Sequence, residues 1–327
     1  MPVLSVRDLT TVYHTSEGDA LALDRLCLDL GKGEMLGLIG ESGCGKTTAG
    51  FSILRAIKYP GEMKSGSVML DGVDLASLDP EALRGHLWKE IAMIPQCAMN
   101  ALDPSYRVGA QIAEAITTHE PQASSAQIRD RVKRLLESVG LNAAWSESFP
   151  HKLSGGMKQR VVIAMALACN PKVIIADEST TGLDVLVQAQ IMALLKKIQN
   201  EWNLGIILIS HDLPMVVDVC DSIGIMYAGS LVESGSTKEI QKAPLHPYTK
   251  ALFASQIRLV DVHTVVRPIE GTVPKLVGAD PGCRFRERCK LAIEVCAIVK
   301  PPLELIAGSH LCACHRSKSL LDAGSHG

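Results

Sequence analysis

The chain has 327 residues, of which 47% are hydrophobic and 21% are charged, and its formal net charge is -2. This composition supports a large buried core and excludes an extensively disordered chain, and the lack of a basic excess argues against a protein that mainly binds nucleic acid. No hydrophobic run reaches the roughly 20 residues that span a bilayer, and the first residues lack a signal-peptide pattern. We therefore expect a protein of the cytoplasmic compartment.

The first predicted strand with a functional pattern covers 35–39 and leads into a glycine-rich loop. Residues 40–47, GESGCGKT, fit the phosphate-loop pattern G-x-x-x-x-G-K-[ST], and residues 48–54 can continue as a helix. Backbone N–H groups and the helix N-terminus would surround phosphate oxygens, Lys46 would reach the terminal phosphates, and the Thr47 hydroxyl would bind Mg²⁺. A purely structural glycine turn is the alternative. Cys44 is interpreted as a tolerated small residue, because such a loop contacts phosphate through its backbone.

The middle of the chain predicts both strands and helices. Residues 66–75, GSVMLDGVDL, alternate like two short strands around an Asp-Gly turn, and a strand within 91–96 ends at Gln96. Residues 126–140 and 187–202 repeat hydrophobic residues at helical spacing, which predicts two amphipathic helices.

Three further motifs follow in order. The sequence LSGGMKQR, at 153–160, precedes a helix-like stretch, so the Ser154 hydroxyl and the helix N-terminus would form a second anion site, with a simple helix cap as the alternative. A hydrophobic strand at 173–176 is followed by Asp177, which would hold Mg²⁺, and Glu178, which would polarise an attacking water. A strand within 205–212 ends at His211. Ligands of doubly wound sheets bind at such strand ends.

The phosphate loop leaves kinases, GTPases, helicases and transport ATPases open, although the sequence contains no N-K-x-D motif for guanine. The order of all the motifs resembles the nucleotide-binding subunits of ABC transporters. The resemblance covers residues 1 to about 257 and implies an α/β, P-loop ABC-type fold with a mainly parallel sheet, an antiparallel β subdomain and a helical subdomain at about 97–160. It implies that Tyr13 stacks on adenine, with an ordinary strand residue as the alternative. The implied ATP-binding residues are Tyr13, Gly40, Ser42, Gly43, Cys44, Gly45, Lys46, Thr47 and Thr48.

In the resembling family, two such subunits close head-to-tail around ATP, so that the LSGG signature of one subunit faces the ATP of the other. The residues implied for that role are Ser154, Gly155, Gly156 and Gln159. The implied catalytic residues are Gln96, Glu178 and His211, and the implied Mg²⁺ ligands are Thr47, Gln96 and Asp177. Two positions depart from the family pattern, since Ser179 replaces a proline and Pro95 replaces an aromatic residue. We expect small changes of loop geometry and no loss of hydrolysis.

The segment 258–327 is predicted to be a separate Cys-rich extension, and it holds five of the ten cysteines. In a reducing compartment, clustered cysteines bind metal more often than they form disulfides. This tail resembles the C-terminal extension of the ATP-binding subunits of dipeptide/oligopeptide and nickel permeases, which implies a [4Fe–4S] cluster on four cysteines. Zinc and four packed thiols without metal remain alternatives, and Cys312 could replace the last ligand. The implied ligands are Cys283, Cys289, Cys296 and Cys314.

The resemblance implies an ATP-hydrolysing subunit of an ABC importer that takes up di- and oligopeptides and sits peripherally on the cytoplasmic face of the membrane. The implied partners are a second ATPase subunit, identical or more commonly a related chain, two transmembrane permease subunits and, indirectly, a substrate-binding protein; no nucleic acid is expected. Nickel or another small solute is the alternative cargo. A soluble ABC ATPase that acts on nucleic acid or ribosomes is the alternative class. A non-hydrolysing regulator is disfavoured, because Lys46, Asp177, Glu178 and His211 are all present.

Overall fold

The computed structural model describes residues 1–96, 101–255, 269–274, 277–278 and 281–324. The chain divides into two compact units. Unit 1 comprises Met1–Leu4, Leu30–Met35 and Leu70–Ile209, and unit 2 comprises Ser5–Asp29, Leu36–Met69 and Ser210–Gly327. The domain boundary predicted between 257 and 258 lies outside the described residues and stays a prediction.

Three strands of unit 1 form a parallel set buried on both faces. They are β6 (Ile91–Ile94), β7 (Val173–Asp177) and β8 (Gly205–Ser210), with β7 paired to both neighbours. Each strand is a continuous run of buried residues, which is the pattern of parallel strands covered on two sides. Because all three strands run in the same direction, the residues that follow β6 and β7 emerge at one edge of this set.

Several helices of unit 1 begin at residues whose side chains cap them. Ser124 and Gln127 form a reciprocal capping box at the start of one helix, and Asp184 accepts a hydrogen bond from the backbone of Val187 at the start of another. Both amphipathic helices predicted from the hydrophobic spacing are present. The unit contains β5 (Val73–Asp74), α2 (Pro80–His86), α3 (Val108–His119), α4 (Ser125–Ser138), α5 (Gly155–Ala166) and α6 (Val185–Trp202), with short 3-10 turns at Ala143–Glu147 and Pro150–Lys152.

Residues 97–100, where the predicted helical subdomain begins, lie outside the described part of the chain. Helices α3 and α4 and the start of α5 fall within its range of about 97–160. The range itself stays a prediction.

Unit 2 contains two groups of strands. β1 (Leu4–Thr15) lies between β2 (Gly18–Leu30) and β4 (Gly61–Leu70) in one sheet. In the other group, β3 (Met35–Ile39) pairs in parallel with β9 (Ser222–Tyr227), and β9 pairs antiparallel with β10 (Ser230–Ser236). The helices of this part are α1 (Lys46–Ile53), α7 (Leu213–Val219), α8 (Thr237–Lys242) and α9 (Pro247–Ala254).

The C-terminal segment adds strands that the sequence did not reveal. β12 (His310–Cys312) pairs antiparallel with β10 and with β11 (Glu304–Ala307), so Cys312 lies opposite Glu233 on one side and Glu304 on the other. These strands have three and four residues, which is too short for an alternation pattern to identify. The segment also contains α10 (Val295–Ile298), α11 (Ser317–Gly324) and a 3-10 turn at Arg286–Arg288.

The α/β class predicted from the sequence is confirmed by the alternation of strands and helices from β3 to β9. The turn predicted at 71–72 is also present, since Asp71 and Gly72 both have positive φ between β4 and β5. Of the helices in the described ranges, none combines the length and the hydrophobicity needed to cross a bilayer.

Candidate functional site

The phosphate loop in unit 2 follows β3 and leads directly into α1, as predicted. A Cβ at Gly40 would collide with the backbone oxygen of Met226, and Gly45 caps α1 with φ of 105°. Both positions therefore require glycine, one for close approach of the backbone and one for its left-handed conformation. The strand–loop–helix geometry is the arrangement that presents backbone N–H groups and a helix N-terminus to an anion.

Lys46 is buried within this loop. Its Nζ donates hydrogen bonds to the backbone oxygens of Gly40, at 2.8 Å, and Glu41, at 3.0 Å. The ammonium group thus lies inside the curve of the loop, and its contact with a phosphate stays a prediction. Burial raises the pKa of the neighbouring Cys44 thiol, which agrees with its interpretation as a packed small residue.

The other predicted residues of unit 2 lie on β1, in the loop and after β8. Tyr13 is a half-buried residue of β1 whose ring is close to Gly61, and His211 is exposed between β8 and α7. Ser42 and Gly43 are exposed, and Thr47 and Thr48 are half-buried in the first turn of α1. Their roles in binding adenine, phosphate and Mg²⁺ stay predictions.

Unit 1 holds a polar pair at the ends of two neighbouring strands. Gln96, which follows β6, donates from Nε2 to Oε2 of Glu178 at 2.8 Å, and Glu178 follows β7. Thr181 Oγ1 donates to the same oxygen at 3.4 Å. Asp177, the last residue of β7, is fully buried. The structure therefore brings two predicted catalytic residues into contact, a pairing that the sequence motifs did not indicate.

Glu178 also has an unusual backbone conformation. Its φ is +40°, in the left-handed region that non-glycine residues rarely adopt, and its N–H donates to the backbone oxygen of Ile209 at 2.9 Å. Such a conformation costs on the order of 1–3 kcal/mol and persists where the surrounding structure holds it. The backbone and the hydrogen bond from Gln96 together fix the direction of this carboxylate, as a group that orients a water molecule requires.

The LSGG signature forms the start of α5. Ser154 is exposed and caps the helix by accepting a hydrogen bond from Met157 N at 3.4 Å. A Cβ at Gly156 would lie 2.7 Å from Cγ1 of Val187, so the glycine permits close packing with α6. Gln159 is 2% exposed, and its Nε2 has no hydrogen-bond partner among the described residues. The signature is thus a capped helix start with exposed Ser154, and contact with a partner's ATP stays a prediction.

Four of the five C-terminal cysteines line one small cavity in unit 2. The cavity has a volume of about 20 Å³, enough for about one water molecule. Cys312 does not line it and is buried in β12, so the structure groups Cys314 with the other three predicted ligands. Burial raises the pKa of Cys283 to about 11 and also raises the pKa values of Cys289 and Cys314. The cavity-lining cysteines are Cys283, Cys289, Cys296 and Cys314.

These cysteines do not form a ready site for a single metal ion. Among the residues that the structure describes, no group of three or more His, Cys, Asp or Glu side chains is arranged to hold one. The donor set itself, four thiols around one void, has the composition that iron–sulfur clusters and structural zinc sites use.

Comparisons with known families cover both parts of the chain. The ABC transporter family matches residues 23–181, and the family described as "Oligopeptide/dipeptide transporter, C-terminal region" matches residues 232–296. The chain is 41% identical over 317 residues to the dipeptide transport ATP-binding protein DppD of Haemophilus influenzae, covering 96% of each chain. The chain belongs to the ABC transporter family. It is 41% identical to the Bacillus subtilis protein of the same name, covering 95% of this chain and 94% of that protein.

Solved structures agree with this assignment. The dimeric post-hydrolysis state of the ATP-binding cassette MJ0796 with ADP and Pi matches with a TM-score of 0.64 and 27% identity, covering 72% of this chain and 98% of that one. CbiO1 from Clostridium perfringens, part of an ABC transporter complex, matches with a TM-score of 0.63 and 29% identity, covering 73% and 90%. The ABC transporter chain described here is therefore an ATP-hydrolysing transport subunit, and ATP and Mg²⁺ are its expected ligands.

Proposed function

We propose that this chain couples ATP hydrolysis to the uptake of di- and oligopeptides at the cytoplasmic face of a membrane. The observation that carries the proposal is the match of one chain to both the ABC transporter family and the oligopeptide/dipeptide C-terminal region. The proposed partners are two transmembrane permease subunits, a second ATPase subunit and a substrate-binding protein that acts indirectly. Nickel or another small solute remains the alternative cargo, because the proposed ATPase subunit does not itself bind the cargo.

Each residue of the predicted site has a proposed role in ATP binding or hydrolysis that suits its chemistry. Glu178 accepts a proton from the attacking water or orients it, and Gln96 holds the carboxylate through the 2.8 Å hydrogen bond. His211 is proposed to contact the terminal phosphate. The loop backbone and Lys46 bind the phosphates, and the exposed start of α5 at Ser154 binds the ATP of the second subunit.

The proposed Mg²⁺ ligands are Thr47, Gln96 and Asp177. A hydroxyl, an amide carbonyl and a buried carboxylate all offer oxygen donors, which are the atoms that Mg²⁺ prefers. Bound Mg²⁺ would neutralise the charge that develops on the phosphates.

The four cysteines that line the C-terminal cavity are proposed to hold a [4Fe–4S] cluster, with zinc as the alternative. The support is the convergence of four thiols on one void and the presence of Cys314, rather than Cys312, at its wall. Such a group would cross-link a segment whose strands have only three and four residues. The test is the iron, sulfide and zinc content of protein purified without oxygen. About four irons per chain support the cluster, and zinc alone supports the alternative metal. Protein that contains neither iron nor zinc refutes the proposed site.

The proposed transport function is tested with Glu178→Gln in the complex with its permease subunits. We expect the variant to bind ATP but to lose at least about 100-fold in hydrolysis, with loss of labelled-dipeptide uptake into vesicles. The matched control is Glu201→Gln, since Glu201 is an exposed residue of α6. Unchanged hydrolysis in Glu178→Gln would contradict its role. Purification with ribosomes or DNA instead of membrane subunits would overturn the importer.

A further inference from the structure

The Cys-rich extension predicted at 258–327, called the cysteine-rich segment below, contacts the phosphate loop within unit 2 through Arg288. Arg288 immediately precedes Cys289, and its two terminal nitrogens donate to the two carboxylate oxygens of Glu41 at 2.6 and 2.9 Å. Glu41 is the second residue of the phosphate loop. The Arg288 side chain is only 4% exposed and that of Glu41 is 26% exposed. This is a bidentate, largely desolvated ion pair, the strong form of the arginine–carboxylate interaction.

Every polar group of Glu41 is held by a different residue. Its backbone N–H donates to the Tyr248 hydroxyl at 2.9 Å, its backbone oxygen accepts from Lys46 at 3.0 Å, and its carboxylate accepts from Arg288. The position of Glu41 therefore determines part of the course of the loop and part of the environment of the phosphate-binding lysine.

Arg288 is itself fixed in place. Its Nη1 donates to the Tyr227 hydroxyl at 3.3 Å, and its guanidinium lies 5.7 Å from the centre of the Tyr227 ring. It also donates to the backbone oxygens of Ile269 and Glu270 at 3.1 and 2.8 Å. These contacts with other protein groups hold the guanidinium beside Glu41.

The charge of Glu41 is unfavourable in a loop that binds a polyanion. A carboxylate repels phosphate oxygens, and the repulsion is strong where solvent is partly excluded. A guanidinium in bidentate contact cancels most of that charge and also prevents the carboxylate from turning into the loop.

We propose that Arg288 is a positioning residue of the ATP site, which neutralises and fixes Glu41 and thereby makes ATP affinity depend on the docked cysteine-rich segment. The proposal rests on the proposed role of the loop in binding ATP phosphates. The competing explanation is that Arg288 only docks the segment onto the rest of unit 2 and has no effect on phosphate binding.

Arg284 is the matched control that separates the two explanations. It lies in the same segment, its side chain is 8% exposed, and its Nη2 donates to Oδ2 of Asp24 at 2.6 Å. Asp24 belongs to β2 and not to the phosphate loop. Removing Arg284 therefore weakens the docking of the segment but leaves Glu41 paired with Arg288.

The experiment measures equilibrium binding of Mg·ATP and Mg·ADP to the full chain and to its variants. A thermal unfolding transition first shows that each variant is folded. We expect Arg288→Met to weaken ATP binding about tenfold, as one unpaired charge near phosphate does, and to weaken ADP binding less because ADP carries less charge. Arg284→Met should change ATP binding less than about twofold. Glu41→Gln combined with Arg288→Met should recover most of the affinity, because the uncompensated charge is then removed.

Three results would overturn the proposal: normal ATP affinity in Arg288→Met, equal losses in Arg288→Met and Arg284→Met, or no recovery in the double variant. If Arg288→Met does not fold, Arg288→Lys replaces it, since lysine keeps the charge but lacks the two-bond fork. Its ATP affinity should then fall by about threefold and recover with Glu41→Gln; affinity equal to that of the unmodified chain would overturn the proposal. A failure of the unmodified chain to bind ATP would instead refute the proposed function.

Discussion

Replacing Glu233 with alanine should destabilise the protein more than any surface change, because this carboxylate satisfies three buried donors. Glu233 is 0% exposed and accepts hydrogen bonds from the backbone N–H groups of Leu245 and His246 at 2.7 and 2.9 Å. Its Oε1 also accepts from Nε2 of His310 at 2.6 Å. It therefore connects β10 to the start of α9 and to β12 of the C-terminal segment.

The magnitude follows from the number of donors left without an acceptor. A buried donor that loses its partner costs about 1–3 kcal/mol, so three of them predict a loss of about 3–9 kcal/mol in the free energy of unfolding. Breaking a buried charged contact by removing one side costs a similar 3–5 kcal/mol. We therefore expect Glu233→Ala to lower the free energy of unfolding by about 4 kcal/mol.

The assay is urea unfolding at pH 7 followed by tryptophan fluorescence, together with limited proteolysis of the C-terminal segment. Glu304→Ala is the matched control, because Glu304 also lies opposite Cys312 but on the exposed strand β11. The control should change the free energy of unfolding by less than about 0.5 kcal/mol. A loss below about 1 kcal/mol in Glu233→Ala would refute the reasoning, since it would mean that water replaces the carboxylate at little cost.

Two further predictions concern buried polar groups. Burial lowers the pKa of His246 to about 4, whereas its pKa in the unfolded chain is near 6.5. Its contribution to stability is therefore present above about pH 6.5 and is lost as the pH falls toward 4, which lowers the free energy of unfolding by about 3 kcal/mol. His246→Asn, which can still accept from Tyr248 N, should flatten the dependence of the free energy of unfolding on pH in that range, and an unchanged slope would contradict the assignment. Ser179 is buried and its hydroxyl has no partner among the described residues, so Ser179→Ala should raise the free energy of unfolding by about 1 kcal/mol. A measured loss of stability would show that the hydroxyl is solvated or bonded.

Local rules were sufficient to predict the strands and helices beside which most of the motif residues lie. Strands β3, β7 and β8 are short hydrophobic runs, and each is followed within two residues by a residue of the predicted site. The phosphate loop could be predicted because its glycines, lysine and threonine occupy fixed positions along the chain. The helix over 126–140 was predicted from its hydrophobic spacing, and the structure has it at Ser125–Ser138.

Pairings between distant parts of the chain could not be predicted. Gln96 and Glu178 are 82 residues apart, and Arg288 and Glu41 are 247 apart, so only the three-dimensional fold shows that they touch. The family resemblance implied Cys314 as the fourth ligand with Cys312 as the alternative, but the sequence could not show which of the two thiols lies beside the other three cysteines. The structure separates them, since β12 ends at Cys312 and the chain then carries Cys314 to the cavity.

The C-terminal segment is best understood through its positive charges as well as its cysteines. Arg284 and Lys300 both contact Asp24, and Arg288 contacts Glu41, so basic side chains hold the segment to two acidic residues elsewhere in unit 2. Arg288 lies between two cysteines that line the same cavity. Any change that unfolds the chain around this cavity must therefore also release Glu41. Loss of order in the cysteine-rich segment should consequently weaken ATP binding, although none of its cysteines belongs to the phosphate loop.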